Sequence, residues 1–168
     1  MYFMNPTCYV CFDGDNDIHY YRLMQAWDKN ERFDFTFVNA HDITQARDTS
    51  TEETIKRSLR TRLKASDVLI VLVGESTRNL YKFVRWEIEV ALEMELSIIV
   101  VNLDGKKSIN NDLCPPILRN ELAIHIPFAQ KILGYAIRNW PSSSARHKAK
   151  GETGPYHYNN SVYISLGL

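Results

Sequence analysis

The sequence predicts an α/β domain: a five-stranded parallel sheet with helices on both faces. Short runs rich in Val, Ile and Phe alternate along the chain with segments of helical period, the pattern of successive strand–helix units. Two of those runs, Val68 to Val73 and Ser97 to Asn102, are apolar almost throughout, as in central parallel strands buried on both faces. The length of 168 residues, 45% of them hydrophobic, suits a single domain with one core. For five strands the flavodoxin-like order 2-1-3-4-5 is expected.

Each element has its own signal. Thr7 to Phe12 is a short apolar run closed by the turn pair Asp13-Gly14. Asp15, Asn16 or Asp17 then caps a helix from about Ile18 to Asp28, with Tyr21, Met24 and Trp27 facing inward. Phe33 to Val38 reads as the second strand, with Phe33, Phe35 and Phe37 on one face, and Asn39 to Ser50 as a polar connection. Thr51 opens a helix that buries Ile55, Leu59 and Leu63 and turns a basic face to solvent. Val68 to Val73 is the third strand, residues 83–95 the next helix, and Ser97 to Asn102 the fourth strand. Leu122 to Ile126 is a fifth strand ended by Pro127, and Ala129 to Trp140 a last helix. These elements make residues 1–140 the folded domain. Residues 141–168 read as a polar linker and C-terminal extension, in which Ser161 to Leu166 forms an extra strand or docks on a neighbour.

Charge and cysteine usage exclude several classes. Twenty basic and twenty acidic residues leave a formal net charge of zero, which argues against nucleic acid or an anionic membrane as partner. No run reaches the length of a membrane span, and no basic segment leads an apolar signal core, so a cytoplasmic location is expected. Cys8 and Cys11 have CxxC spacing, but on a strand they point to opposite faces, which disfavours a zinc or redox site. No metal is expected. Asp13, Asp15 and Asp17 lack the Gly and Glu that complete a calcium loop, and no GxGxxG, Walker loop or GxSxG elbow occurs. A phosphoacceptor receiver domain is excluded by Gly74-Glu75 and His125 to Pro127, where it needs an Asp and a Lys.

One residue breaks its own pattern. At about 100° per residue, Phe83, Val84, Ile88, Val90, Ala91 and Met94 share one arc of their helix, and Arg85, Glu89 and Glu93 the opposite side. Glu87 falls inside the apolar arc, where an unpaired carboxylate is costly and needs a partner, a shifted pKa or a ligand. Ligands of open parallel sheets bind beyond the carboxyl ends of the strands, at the switch in strand order. That places Phe12, Asp13 and Gly14, Gly74 to Asn79 and the border residues Asn39 to Asp42 around a crevice. Ser76 and Thr77 offer hydroxyls there, or serve simply as caps, and Glu87 reaches the crevice along the flank of its helix.

The segment Gly74, Thr77, Phe83, Val84, Trp86, Glu87, Ile88, followed by the strand Ile98 to Val101, resembles the third strand-to-helix unit of TIR domains. It is most similar to the TIR-like ThsB proteins of Thoeris anti-phage systems, and Val10 to Asp13 resembles that family's first strand and loop. The resemblance covers roughly residues 7–140. It implies cleavage of NAD+ at the nicotinamide–ribose bond with Glu87 as the catalytic residue, and NAD+ as substrate rather than as a retained cofactor. Around the substrate it implies Phe12, Asp13, Asn39, Ser76, Thr77, Phe83 and Trp86. It further implies self-association and a nucleotide product, linear, cyclic or conjugated, that activates an effector protein. The chain departs from many NAD-cleaving TIR domains by having Phe83 and Val84 where they have Trp and a small residue, so stacking falls to Phe12, Phe83 or Trp86. It also lacks the Pro-Gly turn of TIR adaptor domains within Asn39 to Ser50.

Two other functions share this fold. A TIR-like module that assembles without catalysis would use Glu87 in an ion pair with a loop Arg or Lys, and Trp86 as a half-buried anchor. A nucleoside deoxyribosyltransferase would carry a similarly placed glutamate, but with an Asp-containing loop before the helix, which Glu75 to Arg78 does not supply.

Overall fold

The computed structural model describes residues 6–29, 36–38, 51–80 and 83–168. Its strands are β1 (Thr7–Cys11), β2 (Thr36–Val38), β3 (Val68–Val73), β4 (Ser97–Asn102), β5 (Ala123–Pro127) and the two-residue β6 (Pro155–Tyr156). They form one sheet of order β2-β1-β3-β4-β5-β6, and every pairing is parallel. The helices are α1 (Ile18–Lys29), α2 (Glu52–Leu63), α3 (Phe83–Glu93), α4 (Gln130–Ala149) and α5 (Asn160–Ser165). The expected order of five strands is present, with β6 added at the β5 edge.

Strand alternation divides the core in two. Cys8 and Val10 of β1, with Val68, Ile70 and Leu72 of β3, pack against α1, α4 and α5. Tyr9 and Cys11, with Leu69, Val71 and Val73, face α2 and α3. The two CxxC thiols therefore lie in separate layers, and the three cysteines are free and buried. Both faces of β3 and nearly all of β4 are covered, which accounts for their unbroken apolar sequence.

The α2/α3 layer puts the functional helix in place. Thr51 caps α2, its hydroxyl accepting from the Thr54 N–H at 3.3 Å. Ile55, Leu59 and Leu63 are buried beneath it. Its basic face is partly engaged. Lys56 reaches Glu89 of α3 at 2.7 Å, and Arg60 reaches Glu93 at 3.4 Å.

The chain beyond Trp140 corrects the expectation of a polar linker. Helix α4 continues through Pro141 to Ala149, because Trp140 and Ser144, four residues apart, are both buried and extend its inward face. His147 stacks on Tyr156 with ring centroids 4.2 Å apart, one further step along that face. Ser161 to Leu166 is no strand: α5 occupies it and buries Tyr163. Phe33 and Phe35 lie outside the described residues, and of that expected strand Thr36–Val38 is described.

Candidate active site

Glu87 is the fifth residue of α3 and is 6% exposed. Its helix packs on the sheet through Val84, Ile88 and Ala91, and that period turns Glu87 toward β1. There Tyr9 and Cys11, two residues apart on one face of β1, lie beside the carboxyl. Cys11 Sγ approaches the Val84 carbonyl at 3.8 Å, one turn before the acid. Burial pushes the Glu87 carboxyl up to about 8, against the opposing influence of the Cys11 thiol and the Tyr9 hydroxyl. Neither neighbour completes a well-formed bond to every buried oxygen: Glu87 Oε2 and Tyr9 Oη are without partners among the described residues. No cation pairs with Glu87 among the described residues; the loop residues Arg47 and Lys82 lie outside them.

A second polar cluster closes the carboxyl end of the sheet. Asp13 accepts from the N–H groups of Asp15 and Asn16 at 3.0 and 3.3 Å and from Asn16 Nδ2 at 2.8 Å. Ser76 Oγ donates to Asp13 Oδ2 at 2.5 Å, which ties the loop after β1 to the loop after β3. Burial alone would raise the Asp13 carboxyl; these hydrogen bonds, Ser76 first, outweigh it and hold the group below the ordinary carboxylate range. Asp17 is the reverse case. It is buried, its Oδ2 has no partner among the described residues, and burial with the neighbouring Asp13 charge pushes it upward. Gly74 makes this possible, since a Cβ there would sit 2.5 Å from Asp17 Oδ2. A crevice of about 480 Å³ opens at this point, lined by Asp17, His19, Tyr20, Gly74, Ser76 and Asp104 among others.

Of the residues expected around one pocket, those described fall as follows. Asp13 and Ser76 belong to the crevice cluster. Thr77 acts locally and shapes the exit from β3. Its hydroxyl accepts from the Gly74 N–H at 2.9 Å and donates to the Leu72 carbonyl at 3.3 Å. Phe12 stacks on Tyr21 in the opposite layer, with centroids 4.8 Å apart, so it is not beside Glu87. Phe83 and Trp86 form an edge-to-face pair at 5.6 Å, both half-buried, on the helix that carries Glu87. Asn39 lies outside the described residues. Glu87 is not among the described residues that line this crevice. Its side chain follows the inward arc of α3 down onto β1 instead. A turn of 3-10 helix, Thr77–Asn79, follows Ser76, and the described part of α3 runs Phe83–Glu93.

Tyr9, Cys11 and Asp17 are site residues that sequence reasoning does not single out. The alternation of β1 could place Tyr9 and Cys11 together, but not on the face that meets α3. Asp17 carries a signal as the third acid of Asp13-x-Asp15-x-Asp17, which reads equally well as helix capping.

A parallel sheet of order 2-1-3-4-5, with a buried glutamate on the helix after its third strand, is the arrangement of a TIR-like α/β domain. The family model of the Thoeris protein ThsB, TIR-like domain, matches residues 9–108, more than half of the chain, and the chain belongs to that family. No curated protein matches it. The matched region runs from β1 to the loop after β4 and contains Glu87 with Tyr9, Cys11, Asp13 and Ser76. Among the described residues no helix is long and apolar enough to cross a membrane.

Proposed function

We propose that this Thoeris TIR-like domain cleaves NAD+ at the bond between nicotinamide and ribose, with Glu87 as the catalytic carboxylate. The observation that carries this reading is the acid itself: a buried carboxyl with an unpartnered oxygen, and no cation beside it among the described residues. A structural glutamate in such a layer is expected to have a salt bridge, because desolvating a carboxylate costs several kcal/mol.

The chemistry uses that cost. As the C1′–N bond breaks, its electron pair goes to the nicotinamide nitrogen and cancels the charge of the pyridinium ring. The ribose becomes oxocarbenium-like, and a carboxylate beside it stabilises the developing charge. Fields act more strongly in an apolar layer than in water, so a single carboxylate can have a large effect. With its carboxyl pushed up to about 8 by burial, Glu87 favours the protonated form near neutral pH before NAD+ binds. The cationic nicotinamide ring favours its ionised form and draws the proton off on binding. Water, or a hydroxyl or nitrogen of the nucleotide itself, then attacks C1′, and the proton it loses is taken up by the carboxylate. Phe83 and Trp86 offer aromatic faces on the same helix, and no retained cofactor is required. The product serves as a nucleotide signal to an effector protein in anti-phage defence, and self-association accompanies activity.

The experiment is to incubate the chain with NAD+ and resolve nicotinamide, ADP-ribose and cyclic isomers by liquid chromatography and mass spectrometry, beside Glu87→Gln. Nicotinamide formed by the wild type and reduced at least about 100-fold in the variant supports the reading. Deoxyribosyl exchange between nucleosides, without NAD+ cleavage, would replace it with the transferase. Release unaffected by Glu87→Gln would remove Glu87 from the reaction.

A further inference from the structure

Strand β1 presents two donors to the layer in which Glu87 is buried. Tyr9 and Cys11 are fully buried and share the α2/α3 face of the sheet with Val84 and Ile88. The Cys11 thiol is fixed against the α3 turn that carries the acid by its approach to the Val84 carbonyl. The Tyr9 hydroxyl and Glu87 Oε2 are both buried without a completed bond among the described residues. Phe and Val would fill the same two places without leaving a hydroxyl unsatisfied, so packing alone does not account for Tyr and Cys there. Each acts on Glu87, the thiol more strongly than the hydroxyl.

We propose that Tyr9 and Cys11 are positioning residues for Glu87: when its carboxyl ionises, the Tyr9 hydroxyl donates to it, the Cys11 thiol turns its hydrogen from the Val84 carbonyl to it, and the two hold it against the sheet in the orientation that meets the ribose. The proposal rests on the reading of Glu87 as the reacting carboxyl. It also explains why the Tyr9 hydroxyl and Glu87 Oε2 are without partners among the described residues, since both are satisfied once the carboxylate forms.

Among the described residues, the neighbouring elements are arranged as follows. From α2, Arg62 acts on Tyr9, while Lys56 and Arg60 are engaged with Glu89 and Glu93 on the far side of α3. The β3 residues in this layer, Leu69, Val71 and Val73, are apolar. On α3 itself Arg85 is held by Glu89 at 2.8 Å.

The test reads the ionisation of Glu87 with and without NAD+. Urea-denaturation midpoints of wild type, Tyr9→Phe, Cys11→Val, Cys11→Ser and Glu87→Gln are followed from about pH 5 to 9.5. The wild type should lose stability as pH rises through the window of Glu87, and Glu87→Gln should lose that dependence. Tyr9→Phe and Cys11→Val should displace the window upward by about one pH unit. Cys11→Ser, which keeps a donor, should leave it in place or lower it, and this separates donation from a general loosening of the core. The acid limb of kcat/KM for nicotinamide release should move by the same amount, and the high-pH plateau of kcat should fall in Tyr9→Phe and Cys11→Val, because the ionised carboxylate loses its orientation, and be largely kept in Cys11→Ser. Windows unmoved by both Tyr9→Phe and Cys11→Val overturn the donor pair. A wild type that releases no nicotinamide overturns instead the reading on which the pair depends.

Discussion

Glu87 holds its proton because the layer between α3 and β1 desolvates it, and this has a consequence for stability that needs no substrate. Between its ordinary value of 4.5 and about 8, the folded chain retains a proton that the unfolded chain has released. Stability contributed by the neutral carboxyl is therefore complete below pH 4.5 and declines as pH rises to about 8, by at most about 1.4 kcal/mol per pH unit. Glu87→Gln should melt higher than the wild type at pH 9 and close to it at pH 5, by thermal denaturation followed in circular dichroism. Equal differences at both pH values would mean that the acid is solvated. On the acid side His125 acts in the opposite sense: burial pushes it down to about 4 from 6.5, so stability falls as pH drops through that interval. Gly74 gives a third test at this scale. Gly74→Ala drives a methyl group against the Asp17 carboxylate and should cost about 1–3 kcal/mol in urea denaturation. Asp17→Ala in the same chain should return most of that loss, and additivity of the two changes would contradict the contact. The helical period alone makes Glu87 legible as a misplaced acid. Its neighbours Tyr9 and Cys11 are 78 and 76 positions away, and no local pattern joins them to it.

At the scale of elements, legibility follows how completely one face or one period determines the residues. Val68–Val73 and Ser97–Asn102 have the bounds expected of them, because strands buried on both faces leave no position open to polar residues. For helix α4 the sequence predicts an end at Trp140, since proline removes an N–H and clashes with the preceding turn. What carries the helix onward is tertiary: buried Ser144 and the His147 ring packed on Trp140 and Tyr156, none of which is an apolar mark in sequence. The proline is then a local cost that packing outweighs. Pro141→Ala should raise stability by about 1–3 kcal/mol, measured by urea denaturation. A fall in stability would show that Pro141 is needed for the bend or packing it sets in α4. Between α2 and α3 the Lys56 and Arg60 pairs fix how the two helices lie together, and so bear on the placement of Glu87 from outside.

For the whole molecule, the sheet places two different polar sites near the carboxyl ends of β1 and β3. The crevice, lined by Asp17 and by Ser76 with Asp13 hydrogen-bonded to it, occupies the position that strand order alone designates in such sheets. Glu87 lies in the layer between β1 and α3 and is not among the described residues lining the crevice; the reaction proposed for it rests on the family motif rather than on topology. Fold class is legible because alternating strands and helices leave few arrangements. The division of the proposed contacts between two sites is not, because it depends on which way each loop and helix face turns. The C-terminal segment also belongs to this scale. Tyr156, Val162, Tyr163 and Leu166 pack on the α1/α4 layer, and Lys107 Nζ sits 4.4 Å above the Tyr163 ring. A chain ending at Ala149 should lose about 3 kcal/mol or more, since several large side chains lose their cover. An unchanged urea midpoint would show that residues 150–168 are no part of the cooperative unit. The central claim, that a buried Glu87 breaks NAD+, meets its most direct test in nicotinamide release by wild type and Glu87→Gln at equal concentration and pH 8, with matching far-UV circular dichroism. The account predicts steady release from the wild type and at least about a 100-fold loss in the variant. Equal release from both folded proteins, or none from the wild type at any protein concentration, with or without a phage trigger, would contradict it.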